Sequence, residues 1–354
     1  METSFSDPLG SGLELLAAPI EGREREACIG ISPTGFYIRH PPAPHHLDSF
    51  ITPDEKLFQT IHMGAAVVDT SRWVLVVNGL VRNQFALTFD QLLRLPRTSI
   101  TAFHECYGSP IKPPNTALWR IGNVTWTGVR LSHLLSLAQP LPEAQFVWSE
   151  GLDHGTFAGI TSDRYQKDLP MTKALAPEVL VAYEMNGVRL NKERGGPVRL
   201  IVPGWFGTNM TKWLCRLTLQ DSRAPGPYTT TFYNEIDPWD PRKKRPVWAA
   251  EVNSMIVSPT PNTTWNGSTV VVQGWAWSHQ PVVRVVVSAS PEKSRVDAVV
   301  AERDGFSWQR WEATLTLPDG EYVLIAQAFS SCGQEQPLSA RRNHAHQVKI
   351  WVKA

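Results

Sequence analysis

The sequence has few cysteines, and they lie far apart. The four are Cys28, Cys106, Cys215 and Cys332, in a chain of 354 residues. No two of them have the spacing of a CxxC zinc knuckle or redox pair, and four scattered thiols do not form a disulfide framework. We therefore expect reduced thiols and a cytoplasmic protein.

The sequence also lacks an excess of charge of either sign and a long apolar run. Its 34 Lys and Arg residues and 33 Asp and Glu residues give a formal net charge of +1. Proteins that bind nucleic acid or membrane surfaces usually carry a large basic excess, so we expect neither partner. No stretch approaches the roughly 18 apolar residues of a membrane span. The N-terminus shows no secretory signal, which requires a basic start and an apolar core.

Proline, in contrast, is abundant, with 28 residues. Because prolines end helices and interrupt central strands, we expect short elements joined by ordered loops. Residues 1–30 are predicted to be an N-terminal arm. Residues 31–225 mix short strand and helix patterns without a βαβ rhythm, which indicates an α+β domain. Residues 226–250 contain several prolines and a basic run at 242–245, and are predicted to be a linker with solvated charges.

From residue 251 onward the helical patterns disappear and a period of two takes over. Ala313, Leu315 and Leu317, for example, alternate with polar residues. Several such strands within about a hundred residues are typical of two antiparallel sheets packed face to face. Residues 251–354 are therefore predicted to form an all-β, immunoglobulin-like sandwich.

A few local signals can be assigned to single turns and helices. The pairs Asn78-Gly79 and Asn186-Gly187 each predict a two-residue hairpin turn. Thr88 and Gln91 have the spacing of a capping box at the start of a short helix. Apolar residues between 131 and 138 fit one face of a second helix.

Cys106 is the thiol in the most unusual setting, between His104-Glu105 and a turn at residues 108–110. Three interpretations remain open from these residues alone. Cys106 is a buried small apolar residue, a nucleophile activated by His104, or a thiolate ligand of a transition metal. The third requires an organic cofactor to supply the remaining ligands, because no other cysteine is near.

A candidate anion site lies about a hundred residues downstream. Arg194, Arg199 and Lys212 flank a glycine-containing loop at residues 204–207. Glycines let backbone N–H groups approach an anion, and fixed cations complete a phosphate cradle. The loop lacks the spacing of a nucleotide P-loop, so the sequence favours some other phosphate-bearing ligand.

Several motifs in order carry a resemblance to a known family. They are HECYGSP, IGNVTWTGV, EGLDHG, VLVAYEMNG, GGPVRLIVPGWFGTNMTKWL and, near the end, VVVQGWAWS with Gln336-Pro337. Together they resemble the sulfite oxidase family of molybdopterin enzymes over roughly residues 30–354. The resemblance implies a molybdopterin-binding catalytic domain followed by a dimerisation domain, in a member without a haem domain.

The resemblance also implies a cofactor and a set of site residues. The cofactor is a mononuclear molybdenum on a pyranopterin, with Cys106 as the protein's thiolate ligand. The residues implied to contact the cofactor are Arg39, His40, Asp153, Arg194, Arg199 and Lys212. The residues implied to position the substrate are Arg39, Trp119, Tyr233 and Lys112.

Two family motifs are changed in this chain. Where the family reads Cys-Ala-Gly-Asn-Arg-Arg, residues 106–111 end in Ile111 in place of an arginine. The family's Arg-Asn-His run near the N-terminus is matched to Arg39-His40-Pro41. Sulfite is a dianion that needs paired cations, and a lysine such as Lys112 lacks the bidentate fork of an arginine.

The implied activity is oxo transfer at the molybdenum centre, most directly the oxidation of sulfite to sulfate with an external electron acceptor. A homodimer is expected through the C-terminal sandwich. One alternative is the same cofactor acting on nitrate or another S- or N-oxide. The other is a cofactor-free binding or assembly protein.

Overall fold

The computed structural model describes residues 4–6, 14–17, 22–109, 119–237, 240–291, 294–339 and 341–353. Strands make up most of its regular structure. The α-helices among the described residues are short: α1 (Phe89–Arg94), α2 (Leu131–Ala138), α3 (Met171–Ala174) and α4 (Pro227–Thr230). Single 3₁₀ turns cover Arg23–Ala27, Pro44–His46, Asp54–Lys56 and Gly207–Asn209.

The strands before residue 250 form the larger part of the structure. They are β1 (Ser4–Ser6), β2 (Glu14–Ala17), β3 (Cys28–Thr34), β4 (Tyr37–Arg39), β5 (Gln59–Ile61), β6 (Gly64–Val68), β7 (Val74–Gly79), β8 (Phe85–Thr88), β9 (Arg97–Glu105), β10 (Ile121–Arg130), β11 (Phe146–Gly151), β12 (Gly155–Phe157), β13 (Ile160–Ser162), β14 (Gln166–Pro170), β15 (Leu180–Met185), β16 (Val188–Arg189), β17 (Arg199–Ile201), β18 (Leu214–Gln220), β19 (Asn234–Ile236) and β20 (Lys244–Pro246).

Two sheets organise this part. One has the order β1-β2-β8-β7-β18-β11-β14, with β7 and β18 parallel and the other neighbours antiparallel. The other has the order β16-β15-β10-β9, and β17 pairs with β15. The apolar faces of both sheets and of α2 share one buried core. Burying apolar surface is the main term that stabilises such a core.

The strands after residue 250 pair among themselves in two further sheets. They are β21 (Asn253–Ser258), β22 (Thr263–Asn266), β23 (Thr269–Trp277), β24 (Val282–Ser290), β25 (Ser294–Asp297), β26 (Val299–Val300), β27 (Gln309–Thr316), β28 (Gly320–Ser330) and β29 (His346–Lys353). The orders are β21-β23-β27-β26 and β22-β29-β28-β24-β25. Alternate residues of β27 are buried and exposed, as its period of two predicts. These sheets enclose a second core, while the immunoglobulin-like assignment stays a prediction.

A third, aromatic cluster lies between the two parts. Phe103 of β9 and Phe206 pack with Trp275, Trp277 and Trp308 of the C-terminal sheets. The indole N–H of Trp277 also donates a hydrogen bond to Oε2 of Glu105, at 2.9 Å. The end of β9, which leads directly into Cys106, is therefore held from the C-terminal side.

Several sequence predictions can be compared with these elements. The α+β expectation is met only in part, because the helices are short and strands dominate. Thr88 and Gln91 form the predicted capping box of α1, and α2 covers the second predicted helix. Asn186-Gly187 forms the tight turn between β15 and β16, with both residues at positive φ. In the described residues, no helix is long and apolar enough to cross a membrane.

The hairpin predicted at Asn78-Gly79 is wrong. Both residues continue β7 and pair with Thr218 and Leu219 of the parallel strand β18. The reversal into β8 comes later, so the connection is longer than two residues. The glycine at 79 is needed for another reason: a Cβ there would lie 2.2 Å from the carbonyl oxygen of Leu219.

Candidate active site

A cavity opens at the end of β9. Concave sites with a few convergent polar groups are where small molecules and cofactors usually bind. Six of the residues predicted from the sequence line it: Cys106, Asp153, Arg194, Arg199, Lys212 and Tyr233. They come from separate loops and strands, so the fold brings them together over more than 120 positions of the chain.

Cys106 is held where β9 leaves its hairpin with β10. Its N–H donates to the carbonyl oxygen of Arg120 at 2.9 Å, which extends the β9–β10 pairing by one residue. Its own carbonyl oxygen then accepts the N–H of Ser109 at 3.1 Å, which closes the turn. The side chain is half-buried. Thr60 of β5 reaches it from the opposite wall, with Oγ1 3.8 Å from the sulfur.

Three cations line the cavity: Arg194 and Arg199 are buried, and Lys212 is half-buried. Arg194 donates to Oδ1 of Asp54 and to the carbonyl oxygen of Phe58, the latter at 2.8 Å. Arg199 and Lys212 differ, because their hydrogen bonds go to backbone carbonyl oxygens. Lys212 Nζ, for example, lies 2.6 Å from the carbonyl oxygen of Thr60. Carbonyl groups solvate a cation without neutralising it, so these two charges remain available to an anion.

The pKa values of these groups follow from burial. Burial lowers the pKa of Arg199 to about 9. It also lowers the pKa of Lys212 to about 7, with a smaller contribution from the nearby charge of Arg199. Burial raises the pKa of Asp153 to about 7, against the opposing effect of Lys212. Each shift disfavours the charged form of the group. An anion bound between Arg199 and Lys212 would favour their charged forms and would therefore raise both pKa values.

Tyr233 and His62 form a hydrogen-bonded pair at the cavity wall. Burial is the main reason that the pKa of His62 falls to about 3, and the charge of Lys212 adds to it. Burial likewise raises the pKa of Tyr233 above its usual value. At neutral pH the pair therefore consists of a neutral imidazole and an intact phenol. Tyr233 also has a positive φ of 57°, an unusual backbone conformation for a bulky residue.

His62 and Thr60 are two of the cavity-lining residues that the sequence analysis did not predict. The family's Arg-Asn-His run was matched to Arg39-His40, but His40 is exposed and neither residue lines the cavity. Arg39 instead donates to the carbonyl oxygens of Asp54 and Leu57, at 2.7 and 3.0 Å, behind Arg194. The sequence Thr60-Ile61-His62 also ends in a histidine. This histidine is the signal that could have led to a match of the family's Arg-Asn-His run with residues 60–62.

The other predicted residues have different positions. Trp119 does not line the cavity but is buried against Trp277 and His346, with ring centroids 6.0 and 5.5 Å away. The large, mostly apolar side chain of Trp119 favours a place in the core. The prediction that Trp119 contacts the substrate is therefore not supported. Lys112 lies outside the described residues. Of the predicted glycine loop, Gly207 reaches the cavity, whereas Gly204 packs near His279 and Phe306.

The residues present fit a large anionic cofactor that brings its own metal ligands. In the described part of the chain, no group of three or more His, Cys, Asp and Glu side chains could hold a metal ion. A metal at Cys106 would therefore need ligands from a cofactor. Asp153 Oδ1 and Arg199 Nε are buried without a hydrogen-bond partner among the described residues. Polar groups of a bound cofactor would satisfy such atoms.

Comparison with known proteins supports the same conclusion. Residues 62–228 match the family model described as the oxidoreductase molybdopterin binding domain. The chain is 30% identical to the sulfite oxidase of Gallus gallus over 329 residues, which is 84% of this chain and 71% of the chicken protein. The chain belongs to the sulfite oxidase family of molybdopterin oxidoreductases. The mitochondrial sulfite oxidase of Drosophila melanogaster is 29% identical over 89% of this chain, but only 55% of the fly protein is covered.

A solved structure extends the likeness over the whole chain. The crystal structure of the sulfane dehydrogenase SoxCD from Paracoccus pantotrophus superposes with a TM-score of 0.76 at 27% identity. The match covers 99% of this chain and 97% of that chain. Both the cavity-bearing part and the C-terminal sheets of this family member therefore have a counterpart in that structure.

Proposed function

We propose that this family member is a molybdenum enzyme that oxidises sulfite to sulfate. The observation that carries the proposal is a pair of cations in the cavity that Cys106 lines. They are the buried Arg199 and the half-buried Lys212, and their side-chain hydrogen bonds go to carbonyl oxygens. Sulfite and water give sulfate, two protons and two electrons. The electrons leave to an external acceptor.

The cofactor is assigned to one wall of the cavity. Cys106 would supply the protein's sulfur ligand, and Arg194, Arg199 and Lys212 would hold the anionic part of the pterin. Asp153 would accept a hydrogen bond from it. When bound, the molybdenum supplies the two-electron oxo-transfer chemistry, while the protein supplies binding, orientation and electrostatics.

The substrate is assigned to the opposite wall, which is formed by Thr60, His62, Tyr107 and Tyr233. The phenol of Tyr233 is protonated at neutral pH and can donate a hydrogen bond to an oxyanion. His62 fixes the direction of that phenol through their mutual hydrogen bond. Lys112 and Ile111 lie outside the described residues, and a role for Lys112 in binding sulfite stays a prediction.

A second candidate is the oxidation of a less charged sulfur substrate. The described side chains on the substrate wall are neutral at neutral pH, and Ile111 stands where the family's motif has an arginine. A doubly charged substrate gains most from paired, charge-assisted hydrogen bonds. The whole-chain similarity to a structure named sulfane dehydrogenase supports this candidate. Nitrate and other S- or N-oxides remain alternatives with the same cofactor.

Four further expectations belong to the proposal. The external electron acceptor is a separate redox partner. The chain forms a homodimer through the C-terminal sheets, which sedimentation would test. A cytoplasmic location stays a prediction, as does the division of the chain near residues 30, 225 and 250. The cofactor-free alternative is disfavoured by the buried Arg199, because its charge is costly without an anion.

Metal analysis tests the cofactor assignment. Protein made in a host that synthesises the molybdenum cofactor should contain about one molybdenum per chain and release a pterin on denaturation. The variant Cys106→Ser should lose the thiolate-to-molybdenum absorption band, whereas Cys215→Ser, at a buried thiol outside the cavity, should keep it. Molybdenum far below one per chain, or an unchanged band in Cys106→Ser, would contradict the assignment.

Steady-state kinetics with an artificial electron acceptor tests the substrate. If sulfite is the substrate, it should be oxidised with a far higher kcat/KM than thiosulfate or an organic sulfane. The opposite ranking would support the second candidate. Reduction of nitrate or a sulfoxide by the reduced enzyme, in the absence of sulfite oxidation, would reject both candidates.

A further inference from the structure

Arg342 belongs to the segment between β28 and β29, yet its guanidinium reaches the turn that carries Cys106. Nη1 donates to the carbonyl oxygen of Ser109 at 2.8 Å and lies 3.5 Å from Oε1 of Glu105. Nη2 donates to Oε2 of Glu251 at 2.8 Å. The side chain is 14% exposed, so these contacts are shielded from water.

The flat faces of the same guanidinium are covered by aromatic rings. Its central carbon lies 4.6 Å from the ring centroid of Phe206 and 5.1 Å from that of Tyr107. Cation–π contacts at such distances are favourable, more so when they are desolvated. Tyr107 lines the cavity. Arg342 therefore contacts the residues on both sides of Cys106, and the carbonyl group that ends the turn.

Among the described residues, few other contacts hold this turn. Ser109 is tied back to Cys106 by one backbone hydrogen bond, and its hydroxyl accepts the N–H of Arg120. Glu105 is fully buried and receives the indole N–H of Trp277. A planar five-donor guanidinium can satisfy a carbonyl, a carboxylate and two ring faces at once, which a lysine cannot.

We propose that Arg342 is a positioning residue for Cys106, through which the docking of the C-terminal sheets sets the geometry of the sulfur ligand. The inference rests on the proposed function, in which Cys106 binds the molybdenum. Protein groups contact the guanidinium of Arg342 at Nη1, at Nη2 and at its flat faces. The role of Arg342 is to hold the turn that carries Cys106.

The neighbouring Arg341 provides a matched control. It pairs with Oε1 of the same Glu251 at 3.1 Å, but its side chain is 62% exposed. Among the described residues, the side chain of Arg341 contacts Glu251 and not the turn. Arg341→Met and Arg342→Met remove the same charge from the same loop, and only the second removes the contacts to Ser109 and Tyr107.

The first test is hydrogen exchange of the purified enzyme, followed by mass spectrometry on the peptide that contains residues 103–109. Arg342→Met should speed exchange of this peptide about tenfold, because the amides of Cys106 and Ser109 open more often. Arg341→Met should leave it within about twofold of the wild-type rate. Equal exchange in the two variants would overturn the proposal.

The second test measures the thiolate-to-molybdenum absorption band, which depends directly on the sulfur ligand. Arg342→Met should shift the thiolate-to-molybdenum absorption band and lower kcat by about tenfold or more, with a smaller effect on KM. Arg342→Lys keeps the charge without the fork and should shift the band in the same direction by less. If Arg342→Met does not fold, Arg342→Lys decides: a wild-type band and exchange rate in that variant would overturn the proposal.

The two proposals fail in distinguishable ways. If Cys106→Ser keeps the metal and the band, the assignment of Cys106 is wrong whatever Arg342 does. If Cys106→Ser loses the band while Arg342→Met behaves like Arg341→Met, only the positioning role is wrong.

Discussion

The hydroxyl group of Thr60 lies 3.8 Å from the sulfur of Cys106, although the two residues are 46 positions apart. The carbonyl oxygen of Thr60 also accepts a hydrogen bond from Lys212 at 2.6 Å. One residue of β5 therefore contacts both the proposed sulfur ligand and one of the proposed cofactor cations. A thiolate can only accept a hydrogen bond, so the hydroxyl group of Thr60 would be the donor.

Replacing Thr60 by valine should change the electronic properties of the sulfur ligand. Loss of one hydrogen bond raises the energy of the thiolate electrons, so the thiolate-to-molybdenum band should move to lower energy. At about 1 kcal/mol for the bond, the one-electron reduction potential should fall by about 40 mV. Thr60→Ser, which keeps the hydroxyl, is the control. An unchanged potential in Thr60→Val would show that the contact is not a hydrogen bond.

Removing the hydroxyl of Tyr233 should weaken catalysis with a charged substrate. When the neutral His62 is the donor in its hydrogen bond with Tyr233, the protonated phenol keeps its own O–H to donate to an oxyanion. A hydrogen bond to a charged group is worth about 1.5–3 kcal/mol, so Tyr233→Phe should lower kcat/KM for sulfite about ten- to hundredfold. Tyr228→Phe, in the same aromatic cluster but outside the cavity, should have little effect. Equal losses in both variants would argue against a substrate contact.

The variant Lys212→Met should lower the amount of cofactor that the protein retains without lowering the stability of the cofactor-free protein. The charge of Lys212 is disfavoured by burial and by Arg199, so its removal should leave the melting temperature of cofactor-free protein unchanged or higher. The same variant should retain several-fold less molybdenum, because a charge-assisted contact to the cofactor is lost.

Lys167 provides the comparison for this experiment. It is fully buried and donates to the carbonyl oxygen of Tyr228. Lys167 does not itself line the cavity, although its Nζ lies 5.7 Å from the ring centroid of Tyr233. Lys167→Met should therefore alter stability without a selective loss of molybdenum. If both variants lose the metal to the same extent, Lys212 has no special role in cofactor binding.

The sequence predicted more of the residues proposed to hold the cofactor than of those proposed to hold the substrate. Arg199 and Lys212 were predicted from their positions around a glycine-containing loop and from the family resemblance, and the fold brings both to the cavity that Cys106 lines. His62 could not be recognised in the same way. The sequence contains two runs that end in or contain a histidine, at residues 39–41 and 60–62. Only the fold distinguishes them, because His62 lines the cavity and His40 does not.

Local signals were reliable where no distant strand competes for the backbone. Asn186-Gly187 forms its turn at the exposed end of β15 and β16. Asn78-Gly79 carries the same signal, but pairing with β18 in the middle of the chain's largest sheet overrides it. Trp119 is a similar case: its apolar surface is taken up by Trp277 of the C-terminal sheets. Long-range pairing of this kind has no signature in a short stretch of sequence.

Stability should depend on pH through His346, which lies where the C-terminal sheets meet Trp119. Its Nδ1 accepts the backbone N–H of Ile256 at 2.9 Å, so the ring is neutral in the folded protein. Burial, with a smaller effect of His344, lowers its pKa to about 4. Below about pH 6.5 the unfolded chain binds a proton that the folded chain does not, so stability falls with pH until about pH 4.

The variant His346→Gln isolates this contribution from the carboxylates that titrate in the same range. Urea unfolding from pH 7 to pH 4 should show a decline in wild-type stability that exceeds that of the variant by up to about 3 kcal/mol. His40→Gln changes an exposed histidine and should follow the wild-type curve. Parallel curves for wild type and His346→Gln would mean that Nδ1 is not a buried acceptor. They would also mean that the junction beside Trp119 admits a charged ring.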